Sequence, residues 1–126
     1  MTKKIIHTNM APEAIGPYSQ AVEVNGFVYT SGQIGLDPET GEMTKGVEAQ
    51  AHQVMKNVSS ILKAAGLDNS KIVKAMIFLQ DMEDFSLVND IYASYLTEPY
   101  PARSAVEISK MPKGALVEVE VIAVKE

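Results

Sequence analysis

Two spacings of apolar residues alternate along the chain and divide it into strands and helices. Val47, Ala51, Val54, Val58, Ile61, Leu62 and Ala65 recur at intervals of three and four, which predicts an amphipathic helix over residues 46–65 closed by Gly66. A second helix is predicted after Asp81, a capping residue, with Phe85, Val88, Tyr92, Tyr95 and Leu96 on one side. Pro99 and Pro101 bar its continuation. Between the helices, Ile72 to Leu79 is an apolar run too short and too β-rich for an independent helix, and it reads as a central strand. Short apolar or β-branched patches at 5–8, 21–24 and 27–30 predict three more strands, and Asn25-Gly26 between the last two is a hairpin signal. Two final strands, 102–109 and 115–124, flank the turn-rich Met111-Pro112-Lys113-Gly114. The order strand, strand, strand, helix, strand, helix, strand, strand predicts an α+β fold. A mixed, mainly antiparallel sheet of about six strands carries both helices on one face.

Alternation within the last two strands adds a second layer. Val117, Val119, Val121 and Ala123 point toward the helices, while Glu118, Glu120 and Ile122 point away. Ser104, Val106 and Ile108 likewise oppose Arg103, Ala105 and Glu107. A mixed face of carboxylates, an arginine and scattered aliphatics suits either solvent or a subunit interface with a polar cleft.

The 126 residues contain no internal repeat or linker, so residues 1–126 read as one domain of a size that buries roughly two-thirds of its extended-chain surface. Cysteine is absent, which excludes thiolate nucleophiles, thiolate metal sites and disulfides. The N-terminal segment has only a two-residue apolar run and no stretch approaches a membrane span, so the expected location is the cytoplasm. A net charge of −5 with scattered lysines disfavours nucleic acid as a partner.

Candidate chemistry concentrates in three segments. Tyr100-Pro101-Ala102-Arg103-Ser104-Ala105-Val106-Glu107 holds the chain's one arginine, and a guanidinium on a strand can grip a carboxylate through two parallel N–H groups. Its alternative is a salt bridge to Glu107, Glu118 or Glu120 across the hairpin of the last two strands. Gly16-Pro17-Tyr18-Ser19-Gln20 presents a tyrosine after a turn, as a packing residue or a site residue. Thr30-Ser31-Gly32-Gln33-Ile34 follows the third strand, and Gly32 marks either a strand end or a close approach of ligand to backbone. The pattern of a nucleophile elbow is missing there. His7 and His52 have no metal-ligand spacing, so no metal site is expected. No glycine-rich phosphate loop occurs, so no nucleotide or pyridoxal phosphate cofactor is expected either.

These segments together resemble the signature of the RidA/YjgF family of enamine/imine deaminases, nearly end to end. The resemblance implies a fold similar to chorismate mutase, assembled as a homotrimer with sites between subunits. It implies hydrolysis of enamines such as 2-aminoacrylate and 2-aminocrotonate, through their imines, to 2-keto acids and ammonia without a cofactor. Arg103 matches the family's substrate-carboxylate clamp and Glu118 the glutamate that orients or activates water; spacing alone does not separate Glu118 from Glu120. Tyr18, Ser31, Gly32, Asn89 and Ala105 match substrate-binding positions. Ala105 departs from the cysteine of many relatives, whose contribution there is made by backbone groups. RNA cleavage or translation inhibition, and a non-enzymatic trimer that binds metabolites to regulate or chaperone partners, are the alternatives the resemblance leaves.

Overall fold

Asn25 and Gly26 both adopt positive φ, 54° and 80°, the geometry of a two-residue hairpin turn whose twist matches the flanking strands. They join β2 (Ala21–Val24) to β3 (Phe27–Thr30), with Val24 opposite Phe27 and Ala21 opposite Thr30. The protein is described by a computed structural model covering residues 2–125. Its other elements are β1 (Lys4–Ile6), α1 (Val47–Ala64), β4 (Ile72–Leu79), α2 (Phe85–Ser94), β5 (Ala102–Glu107) and β6 (Val117–Val124). Six strands form one sheet in the order β1-β2-β3-β6-β4-β5. Every neighbouring pair is antiparallel except β4 and β5.

The predicted α+β fold is therefore present, with several corrections. The first strand lies at Lys4–Ile6 rather than 5–8, and the last two are shorter than expected. Asp81 caps a 3₁₀ turn, Met82–Asp84, by accepting from the Glu83 N–H at 2.9 Å, and α2 begins only after it. More consequentially, β5 and β6 are not a hairpin. Strand β4 lies between them, parallel to β5 and antiparallel to β6. The turn residues 111–114 announce that the chain reverses, but they do not say beside which strand it returns. The largely apolar β4 takes an interior place next to the edge strand β5, rather than the centre of the sheet, and in that place both its edges are paired and its buried face is covered.

Helix α1 lays Ala51, Val54, Met55, Val58, Ile61 and Leu62 on the sheet, where they meet Ala75, Ile77 and Leu79 of β4 and Val117, Val119, Val121 and Ala123 of β6. Helix α2 adds Val88, Ile91 and Tyr92. Gly66, at φ 82°, closes α1 as expected. Among the described residues, the opposite face carries no helix. Phe27, Tyr29 and Val106 are exposed there, and Met76, Phe78, Ile122 and Val124 are half-buried beside Glu118 and Glu120. Among the described residues, no helix is long and apolar enough to cross a membrane.

Candidate active site

Buried amides, not core hydrocarbons, hold the loops around a cavity beside β3 and β6. Gln20 is 2% exposed. Its carbonyl oxygen accepts from the Thr8 N–H at 2.7 Å, and its amide donates to the carbonyls of Thr8 and Pro12 at 3.0 and 2.8 Å. That pins the N-terminal loop against β2. Asn57, inside α1, donates to the carbonyls of Ile34 and Leu36 at 3.1 and 3.0 Å. Gln50 bridges Thr44 and the Leu116 N–H. Each amide satisfies backbone groups that burial would otherwise leave unpaired. These three residues escaped the sequence reading. Their signal was polar side chains inside or beside otherwise apolar periodic stretches.

The cavity so framed has a volume of about 610 Å³ and is lined by Tyr18, Ser31, Gly32, Pro112, Lys113 and Glu118, among others. Four of the predicted site residues thus converge. Tyr18 stands at the rim, 54% exposed. Ser31 donates its hydroxyl to the Ser19 carbonyl, so its first task is to tie the Tyr18 loop to the end of β3. Gly32 lets the Glu118 carboxylate lie against the backbone: a Cβ there would overlap Oε2 outright and lie 2.8 Å from Cδ, so the carboxylate would have to shift. Lys113, not anticipated from sequence, takes φ 56° in the turn before β6 and is the one cation among the described residues of a lining that also holds Glu13, Asp37 and Glu118.

Glu118 is half-buried, and burial pushes its carboxyl above the usual glutamate range, with the neighbouring Glu120 carboxylate adding to the effect. Among the described residues, no hydrogen-bond donor offsets that rise. The structure separates the two glutamates that spacing could not: Glu118 lines the cavity, whereas Glu120 is exposed farther along β6 and lines none of it.

Arg103, Asn89 and Ala105 lie elsewhere. Arg103 is in register with Ala75, and Ala105 with Ile77, so both point to the helix side of the sheet. Glu118 pairs with Phe78 on the opposite face. Two strand spacings, about 10 Å, and the thickness of the sheet separate them. The expected single face containing arginine and glutamates is therefore corrected, because β5 joins β4 in parallel and its odd-numbered residues follow the buried face. The alternative salt bridges fail as well. Glu107 accepts from the Met82 N–H at 2.9 Å, and among the described residues no carboxylate lies within ion-pair distance of Arg103. Its guanidinium instead donates from Nη1 to Asn89 Oδ1 and lies over the rings of Phe85 and Tyr92.

The Tyr92 hydroxyl is buried without a hydrogen-bond partner. Burial raises its pKa, while the nearby Arg103 charge opposes the rise. Tyr92→Phe removes an unsatisfied donor and keeps the ring. The expected result is a gain of about 1 kcal/mol in unfolding free energy, read from the denaturant midpoint. A loss of similar size would show that the hydroxyl has a partner in the assembled protein.

Among the described residues, no group of three or more His, Cys, Asp or Glu is placed to hold a metal ion. Fold and site define a small α+β protein with an acid-lined cavity on one side of the sheet and, at the sheet edge, a guanidinium with no carboxylate partner among the described residues. Residues 8–125 match the family model described as Endoribonuclease L-PSP. The chain is 49% identical over 126 residues to the 2-iminobutanoate/2-iminopropanoate deaminase of Bos taurus, covering 99% of this chain and 92% of that one. The crystal structure of RidA from an Antarctic Psychrobacter superposes with a TM-score of 0.94 at 47% identity, covering 96% of this chain and 98% of that one. E. coli TdcF with bound serine gives a TM-score of 0.93 at 42% identity, covering 98% and 99%. The chain belongs to the RidA/YjgF family.

Proposed function

We propose that this protein hydrolyses 2-imino acids, the tautomers of 2-aminoacrylate and 2-aminocrotonate, to 2-keto acids and ammonia, in sites completed between subunits of a homotrimer. The observation that carries the reading is a carboxylate, Glu118, that lines a cavity, together with a guanidinium, Arg103, that the same chain holds on the other face of its sheet, neither in an ion pair among the described residues. A second copy, seated on the helix-free face where Phe27, Tyr29 and Val106 are exposed, would bring one to the other. Relatives named for this activity in cattle, mouse and human support it at 49%, 49% and 45% identity. The relative solved with serine supports a small amino-acid-like ligand.

The chemistry asks little of the protein. Arg103 grips the substrate carboxylate, and Glu118 takes a proton from water as the water oxygen bonds to the imine carbon. The C=N electron pair moves to nitrogen, which receives a proton. Glu118 supplies that first proton, giving a carbinolamine; the hydroxyl then passes its proton through Glu118 to the same nitrogen, and the carbon–nitrogen bond breaks with its electron pair leaving on ammonia as the ketone forms.

A threonine dehydratase coupled to this protein in dilute buffer tests the reading by release of 2-oxobutanoate and ammonia. Faster release than from the dehydratase alone is expected. No acceleration by folded protein would overturn the hydrolase and leave a metabolite-binding trimer. Endoribonuclease activity, named in the family description, is disfavoured here by three carboxylates in the cavity lining against one lysine. Steeply salt-dependent RNA binding would reverse that judgement.

Because Glu118 must be ionised to accept a proton, the acid limb of the rate profile is expected above the ordinary glutamate range, and Glu120→Gln is expected to move it down. Glu13, Asp37 and Lys113 also line the cavity and remain in both proteins. The stability effect has the opposite sense. A carboxyl whose folded pKa is raised contributes stability below its unfolded pKa, and that contribution is lost as pH rises through the folded value. An acid limb unmoved by Glu120→Gln would remove Glu118 as the titrating group.

A further inference from the structure

Phe85, Asn89 and Tyr92 stand at spacings of four and three along α2, which places them on one face of the helix. That face meets Arg103. The guanidinium carbon lies 5.1 Å from the centroid of the Phe85 ring and 5.9 Å from that of Tyr92, and Nη1 donates to Asn89 Oδ1. We infer that Phe85, Asn89 and Tyr92 are positioning residues for Arg103, a ring, amide and ring stripe that holds the guanidinium in place before a substrate carboxylate arrives. The inference rests on the carboxylate-clamp reading of Arg103 and assigns the residues that make the clamp rigid.

Arg103 starts from an exposed position on the edge strand, so its own strand does not restrain the side chain. A free arginine there would lose rotamer freedom with every substrate bound. Two aromatic rings contact the cation through attraction to their π faces. Asn89 uses one of the five N–H donors and leaves four for a planar, two-point grip on a carboxylate. Helix α2 is a firm support. Val88, Ile91 and Tyr92 are buried against the sheet, and Asn69 donates to the Tyr95 carbonyl just beyond the helix at 3.1 Å. Asn89 thereby changes role from the substrate contact expected in the sequence reading to a partner of the clamp.

The test is binding of 2-oxobutanoate and of its uncharged amide, measured by calorimetry on the full chain. Phe85→Leu, which keeps apolar volume, is expected to weaken 2-oxobutanoate about tenfold and leave the amide unchanged, and Phe85→Tyr is expected to restore it. Asn89→Asp is expected to cost more than Asn89→Ala, because the new carboxylate competes for the guanidinium. The acid limb of turnover, set on the other half of the site, is expected not to move in any of them. Wild-type affinity in Phe85→Leu and Asn89→Ala, with binding lost in Arg103→Ala, would overturn the positioning role alone. Equal losses for acid and amide would also overturn it, since that pattern marks a merely structural effect. Wild-type affinity in Arg103→Ala would instead overturn the clamp itself.

Discussion

Arg103→Ala is expected to lower imine hydrolysis at least about a hundredfold with fold and assembly intact, because the guanidinium is the sole arginine and, among the described residues, makes no ion pair whose loss would destabilise the chain. Arg103→Lys is expected to recover little, since an ammonium cannot make the planar two-point contact. Glu118→Gln is expected to be as inactive for the separate reason that it cannot accept a proton. The two lesions lie on opposite faces of one sheet, which makes a sharper experiment possible. Co-expressed in equal amounts, the two inactive chains are expected to recover about a quarter of wild-type activity, since each site between copies then has that chance of drawing an intact arginine and an intact glutamate. No recovery from a mixed oligomer would show that each site is built from one chain, and the sheet would have to open for that to happen. The same mixture reports on assembly by mass.

Gly32→Ala is expected to reduce turnover about a hundredfold, through a methyl group that never touches substrate. The Cβ would occupy the space of the Glu118 carboxylate, which must swing away from the cavity. Ser31 and Gln33 on either side are tied to Ser19 and Val119, so the backbone cannot retreat to make room. Gly32→Ala should retain its affinity for 2-oxobutanoate, because Arg103 is untouched. Wild-type turnover in this variant would mean that Glu118 works from a different rotamer, or not at all.

The residue types of the site were legible in the sequence, and half of the geometry was not. Tyr18, Ser31, Gly32 and Glu118 converge as the motifs implied. Asn89 proved to be Arg103's partner, which an exposed helical asparagine gives no reason to expect. Reading residues 102–124 as a hairpin placed Arg103 and Glu118 on one face. The insertion of β4 between β5 and β6 reversed that conclusion. Lys113 reached the cavity through a turn of positive φ, a conformation to which lysine carries no bias.

Local chemistry determined what a sequence can carry by itself: the helix periods, the Asn25-Gly26 hairpin, the alternation of Val117 to Ala123, and an arginine with no basic neighbours to dilute its role. Each depends on residues a few positions apart, whose spacing maps directly onto a helix face or a strand face. Which strand lies beside which, and so which side of the sheet Arg103 and Glu118 occupy, was decided only by the tertiary structure. Strand neighbours are chosen by pairing both edges of apolar segments such as β4 inside the sheet, a comparison among distant segments that no local window contains.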